Sequence, residues 1–499
     1  MSQGDDELHP VVRSVRCGEV RGSCDRGVCA FLGIPYAASP TGDNRFKEPQ
    51  PREAWDGVLD CTEPGPCAPH LIRDFPALDL APLVGKGSLE GEDYLRLNIW
   101  SPEAADRKPV MIWIHGGGFV IGSKDAPVQD GTEFARSGIV CVAINYRMGI
   151  DGFLPIPGIP SNLGLRDMLF AIRWVRENIE SFGGDPQNIT LFGESAGAMA
   201  IADLVTSPLA KGLFKRAIIE SGHGAMVRDI GTAQRLVRKL ARVLKIDPDA
   251  DGFASVDADL VWKAMEKVSR PIGGVDLRDE SGHEPVFGIS RFIPVFGDDV
   301  LPLKPLDALK RGAGKEIDVL IGTNAAEMNL YFVPTKVRSR VPGVLLKWLL
   351  KKSHPEARGV LSAYGWGKGR KKGVVFTETM SDLVFRWPAR RYAEEHQGRT
   401  HMYEFDWHSP ACGGELGASH GMEVPFVFKT LPIATGPKGF AGAAPPQDLA
   451  ERIHATWVDF ARDGGLPWSK FDRAHRNVHL LAADKTIEEA IMPAAPFRP

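Results

Sequence analysis

Five short apolar runs constrain the fold of this chain more than anything else in it: PVMIWI from Pro109, IVCVAIN from Ile139, NITLFG from Asn188, KRAIIE from Lys215 and IDVLIGT from Ile317. Each is too short for a helix and rich in residues that favour an extended backbone, so each reads as a buried strand. Helical patterns lie between several of them. In LRDMLFAIRWVRENIESFGG, Leu165, Met168, Leu169, Ile172, Val175 and Ile179 recur on one face. Gly183 and Gly184 then supply a stop, and Asp185 with Pro186 a turn. Strands alternating with helices predict an α/β fold, a large and mostly parallel central sheet flanked by helices.

One handover from strand to helix carries possible chemistry. In NITLFGESAGAMA, residues 188–200, a single serine stands between Gly193 and Gly197. A nucleophile elbow needs this arrangement: the turn lifts the Ser195 hydroxyl above the sheet, and the glycines let strand and helix meet without collision. The helix that starts there adds a positive dipole end. With 54 glycines among 499 residues the spacing alone proves little, and a serine that merely caps a helix is the plain alternative. WIHGGGFVIG, after the strand PVMIWI, supplies Gly116, Gly117 and Gly118. Bare backbone N–H groups there, with that of Ala196, would make a three-donor oxyanion hole, each donor contributing about 3 kcal/mol in the transition state. A flexible loop is the plain reading of the same glycines.

Composition excludes other classes. The net charge of −3 gives no basic excess for a nucleic-acid partner. No stretch reaches the roughly 18 apolar residues of a membrane span. The N-terminal MSQGDDELHP is acidic and polar where a secretory signal is basic and then apolar. Seven cysteines lack metal-ligand spacing; Cys24 and Cys29 come nearest but have no histidine-rich partner segment. Reduced thiols in a cytoplasmic protein are expected.

The chain resembles a type-B carboxylesterase, of the α/β-hydrolase family that includes cholinesterases, para-nitrobenzyl esterases and the non-catalytic neuroligins. The resemblance runs through FLGIPYAASP, NRFKEPQP, GEDYLRLNIW, WIHGGGF, INYRMGIDGF, NIESFGGDPQNITLFGESAGA, GLFKRAIIESG, IGTNAAEMNLYF, FDWHSP and GASHGMEVPFVF, nearly the whole length. It implies an α/β-hydrolase fold in one domain over residues 1–499, with a lid or regulatory helical region at about 335–400. It implies a triad of Ser195, Glu327 and His420, oxyanion donors at Gly117, Gly118 and Ala196, a small-molecule ester as substrate, and neither metal nor organic cofactor. Ser221 matches a serine that supports the triad from behind, though a plain loop serine reads as well. Glu194 would point away from the hydroxyl, into a buried polar network satisfied by its neighbours. His115 is expected to orient the glycine loop and His223 to line the pocket, with His420 as base. Arg45 and Glu92 would form a buried ion pair.

Two departures bear on substrate and location. Tyr94 stands where many family members carry a cysteine, so that disulfide cannot form, in keeping with a reducing compartment. The stretch 65–91 holds no tryptophan and only Phe75 as an aromatic, which argues against choline esters. Phe119, Phe385, Trp387, Trp407 and Phe426 lie near the matched motifs and are candidate pocket walls or simply core. In VPGVLLKWLLKKSHP, Val344, Leu345, Trp348 and Leu349 form an apolar stripe, read first as a lid helix and second as a membrane contact. The nearby KGRKK reads as a solvated charge run. Carbamate or amide hydrolysis by the same machinery and a neuroligin-like binding protein are the competing functions. Monomer and homodimer stay equally open.

Overall fold

The structure, a computed structural model, describes residues 8–70, 77–85, 89, 91–269, 274–284 and 290–497. Their backbone is dominated by one sheet of 13 strands. The five apolar runs become Val140–Ile144, Lys108–Ile114, Gly184–Glu194, Arg216–Glu220 and Asp318–Asn324, side by side in that order and all parallel. Thr400–Phe405 and Asn477–Leu480 extend the parallel run on one side. On the other side Arg96–Pro102, Val28–Pro35, Gly18–Asp25 and His9–Val15 add an antiparallel flank.

Burial explains the sequence pattern. Val110, Met111, Ile112, Trp113 and Ile114 are all fully buried, so both faces of their strand are covered and apolar residues run without alternation. Helix Leu163–Asn178 covers one face through Leu165, Met168, Leu169, Ile172 and Val175, the stripe expected from spacing. The helix runs into a 3-10 turn, Ile179–Phe182, which Gly183 closes with a left-handed φ of 77°. The expected turn at Asp185 and Pro186 lies instead inside strand Gly184–Glu194. Pairing with the neighbouring strand slips between Lys108 and Val110, and the Asp185 carboxylate accepts the Gln187 N–H at 2.9 Å. The turn chemistry was real, but the sheet absorbed it as a bulge.

Three other expectations need correction. Arg45 does not pair with Glu92. Its guanidinium reaches Asp151 at 3.1 Å and the Val256 carbonyl, whereas exposed Glu92 takes the Thr41 hydroxyl at 3.3 Å. Asp151 sits on the short helix Gly149–Phe153, which brings its carboxylate to Arg45 in place of Glu92. The cysteines are not all reduced: Cys24 and Cys29 face each other across adjacent strands and are joined by a disulfide. Phe75, the aromatic noted in the 65–91 stretch, lies outside the described residues. Among the described residues no helix is long and apolar enough to cross a membrane.

A buried ion pair ties the loop after strand Val140–Ile144 to helix Leu163–Asn178. Arg147 and Asp167, with side chains 1% and 0% exposed, are joined by two side-chain hydrogen bonds at 2.7 and 2.8 Å, and Asp167 also accepts the Arg147 N–H. Asp167→Ala strands a buried guanidinium and should cost about 3–5 kcal/mol in urea unfolding; a loss below about 1 kcal/mol contradicts the assigned role.

Candidate active site

Parallel strands deliver their C-terminal ends to one edge of the sheet, and the candidate residues collect there. Ser195 follows Gly184–Glu194, Ser221 follows Arg216–Glu220, Glu327 lies three residues beyond Asp318–Asn324, and Gly117 and Gly118 follow Lys108–Ile114. His420 comes from the loop before the short helix Val424–Val427.

The elbow is visible in the backbone. Ser195 has φ 55° and ψ −121°, a conformation L-residues rarely adopt, and helix Ala196–Thr206 starts immediately after it. The Glu220 carbonyl accepts the Ser195 N–H at 2.9 Å. A Cβ at Gly193 or Gly197 would run into the Ile114 carbonyl oxygen, so both glycines are required by close approach. The Ser195 side chain accepts no hydrogen bond from its own helix, against the capping alternative.

His420 Nε2 lies 2.8 Å from Ser195 Oγ, and His420 Nδ1 lies 2.6 Å from Glu327 Oε2. Glu327 Oε1 accepts the Asn324 N–H and the Ser221 hydroxyl, each at 2.8 Å. Ser221 therefore faces the acid directly, and its own φ of 52° is what turns it there. These contacts assign Nδ1–H as the donor to Glu327, so that in the neutral imidazole the Nε2 lone pair faces the hydroxyl. The glycine loop folds over the elbow. A Cβ at Gly116 would press on Glu194 and Ser195, and Gly117 and Gly118 have φ of 104° and 63°. Among the described residues nothing accepts a hydrogen bond from the N–H groups of Gly117, Gly118 or Ala196.

Glu194 departs from expectation. Its Oε1 has no hydrogen-bond partner among the described residues and lies 3.1 Å from His420 Nε2. That contact satisfies distance but not hydrogen-bond geometry, so it acts as charge proximity. Being adjacent to Ser195, Glu194 follows the tight turn inward rather than joining a satisfied network. Two groups escaped the sequence reading. Glu423, three residues after His420, accepts the Asn324 amide and the Ser221 hydroxyl; its position in GASHGMEVPF was the available signal. Tyr331 lies 5.7 Å from the His420 ring, centroid to centroid.

Of the proposed wall residues, Phe385 reaches the site, 4.4 Å from the His420 ring. It is carried on a π-helical turn, Asp382–Arg386. The preceding helix is loosened by Thr377, Thr379 and Ser381, whose hydroxyls donate to carbonyls four residues back. Phe119 packs on Phe153, Trp407 packs on Phe426, and Trp387 lies near Arg476. The rival histidines are occupied. His115 Nδ1 bonds the Gly116 carbonyl at 2.9 Å, and His223 Nε2 bonds the Val384 carbonyl at 2.7 Å. Burial pushes both imidazoles down to about 4.

Electrostatics set His420 apart. Burial opposes its charge, but the Glu194 and Glu327 carboxylates outweigh that and hold it up at about 9. Burial raises Glu194 to about 7, with His420 opposing. Burial first, then Glu194 and Glu327, raise Glu423 to about 8. Removing the Glu194 charge must therefore weaken proton binding at His420. In Glu194→Gln the ring titration followed by NMR should move to lower pH; an unchanged or higher midpoint contradicts the charge contact.

The chain as a whole is similar to known proteins. The model of the carboxylesterase family matches residues 9–490. The para-nitrobenzyl esterase of Bacillus subtilis (strain 168) is 35% identical, over 96% of each chain. The phenmedipham hydrolase of Pseudarthrobacter oxydans is 33% identical over 95% of each. Among solved structures, a PNB esterase superposes with a TM-score of 0.82 at 31% identity, covering 98% of this chain and 99% of the other. A Geobacillus stearothermophilus carboxylesterase gives 0.81 at 32%, over 98% and 100%.

Proposed function

The chain belongs to the carboxylesterase family and is a carboxylic ester hydrolase, and from that premise we propose that it works through an acyl-enzyme on Ser195, with His420 and Glu327 completing the triad. The observation that carries this reading is the 2.8 Å approach of His420 Nε2 to Ser195 Oγ. His420 takes the hydroxyl proton as Oγ attacks the ester carbonyl carbon. The oxyanion is received by the N–H groups of Gly117, Gly118 and Ala196. As the tetrahedral intermediate collapses, His420 returns the proton to the departing alkoxide, which leaves as the alcohol. Water, deprotonated by the same histidine, then attacks the acyl carbon; as the second intermediate collapses, His420 returns that proton to the departing Ser195 Oγ and the acid is released. Glu327 holds the ring through Nδ1–H and, with Glu194, stabilises the imidazolium formed at each step. Ser221 acts through Glu327 as a positioning residue.

Phe385 and Tyr331 beside the ring favour uncharged substrates whose acyl or alcohol group can lie on aromatic surface. On this reading the chain is one catalytic domain, with the helices at about 335–400 as its cover. The binding-protein alternative would abandon a triad whose every member is present.

Ser195→Ala should abolish ester turnover, and labelling by a serine-reactive phosphonate, while the thermal midpoint holds; near-normal turnover in this variant rejects the mechanism. Cytoplasmic location, expected from the sequence, is opposed by the Cys24–Cys29 bond. Alkylating freshly extracted, unreduced protein under denaturing conditions, so that the buried Cys61, Cys67 and Cys141 can react, and counting labelled cysteines by mass spectrometry decides between them. The two unlabelled residues should be Cys24 and Cys29, and labelling of all seven restores the reducing compartment.

A further inference from the structure

Helix Gly343–Lys351 is held to the protein by one side. Leu346 and Leu350 are buried, but Val344, Leu345 and Trp348 are 82%, 39% and 41% exposed. Val344 is the most exposed large apolar side chain among the described residues, and the other two stand within four positions of it. Single exposed apolar residues need no explanation, but a cluster on one helix does.

Charge says what covers it. Residues 336–372 contain eleven lysines and arginines and one acid, Glu356, in a chain whose net charge is −3. Lys336, Arg340, Lys351, Arg358, Lys368, Arg370, Lys371 and Lys372 are exposed. The fold brings cations to both ends of the apolar patch. Lys372 and Trp366 close over Gly343, at the helix start, where a Cβ would collide with them. Lys352 Nζ lies 3.8 Å over the Trp348 ring at the other end. The KGRKK run is exposed along its length, as expected of a solvated charge run, and through Lys372 it also borders the apolar stripe.

We propose that this face docks on an anionic lipid bilayer, with Val344, Leu345 and Trp348 entering the acyl boundary and the surrounding cations meeting the headgroups. A nucleic acid would engage the cations and leave three apolar side chains in water, so the combination selects lipid. The helix is already folded against the protein, and docking requires no ordering of chain. Binding here is independent of the triad and holds whether or not the esterase mechanism is right.

Flotation of the full chain with phosphatidylcholine vesicles, with and without phosphatidylglycerol, tests it. The protein should float with the anionic vesicles at least ~10-fold better than with the neutral ones, and less so as salt rises. The combined Val344→Ser, Leu345→Ser, Trp348→Ala variant should lose about tenfold in bound fraction at an unchanged thermal midpoint. Trp348→Ala alone, at an exposed position, keeps the test open if the triple variant unfolds. Failure of the wild type to float with anionic vesicles overturns the proposal. So does flotation by a folded variant equal to that of the wild type, or retention of a DNA oligonucleotide in place of vesicles.

Discussion

The site depends on one backbone contact: the Ile114 carbonyl oxygen pressed against Gly193 and Gly197. Only there can strand Gly184–Glu194 pass into its helix within a single residue. That residue, Ser195, is held at φ 55°, a conformation costing on the order of 1–3 kcal/mol that the surrounding sheet must over-determine. It does so from two sides, because the Glu220 carbonyl takes the Ser195 N–H while Ser195 returns its own carbonyl to Met199. The same strand that supplies Ile114 runs on into the glycine loop, so nucleophile and candidate oxyanion donors share one anchor. Their relative position follows from strand pairing, not from a flexible hinge.

Around that anchor the protein concentrates negative charge. Glu194, Glu327 and Glu423 surround one imidazole, with Glu220 behind them bonded to the Trp457 indole at 2.9 Å. Burial disfavours ionisation of Glu194, Glu220 and Glu423, and the carboxylates raise one another further. So many buried carboxyls cannot all be ionised at once. The protonated forms of Glu194, Glu220 and Glu423 are favoured as a result. The arrangement favours whichever state puts positive charge on His420, which is the charge an acyl transfer creates in its transition state.

The central sheet was legible because both of its faces are covered, which leaves uninterrupted apolar runs at Val110 and Val140 that no other element mimics. The elbow was legible because a close backbone approach demands glycine at fixed offsets. Contacts chosen by three-dimensional proximity were not. Arg45 had carboxylates to choose from, and the short helix at Asp151 brought one closer than Glu92. Cys24 and Cys29 read as ordinary thiols because a hairpin register, not a spacing rule, makes them neighbours. The outer antiparallel strands at 9–25 escaped notice because they alternate and one edge is exposed. Phe385 was one candidate among five until the π-helical turn aimed it at His420, and hydroxyl-to-backbone bonds at Thr377, Thr379 and Ser381 leave only a faint mark in sequence.

On the proposed mechanism, chemistry and substrate fit rest on different parts of the fold. Ser195, Glu327, Ser221 and the glycine loop all hang from strand ends, where pairing fixes position to within a rotamer. The aromatic surface beside His420 comes from elsewhere: Tyr331 from the short helix Asn329–Phe332, and Phe385 from a helix with a widened turn. Phe332 packs on Phe376 of helix Lys372–Ser381, so the two aromatic suppliers are joined to each other and to the basic helical region beyond. Movement of that region would shift what lies over the imidazole without disturbing the hydrogen bonds that make it a base. Substitutions there can therefore change which ester fits while the acyl-transfer machinery stays in place, and substitutions at the strand ends cannot.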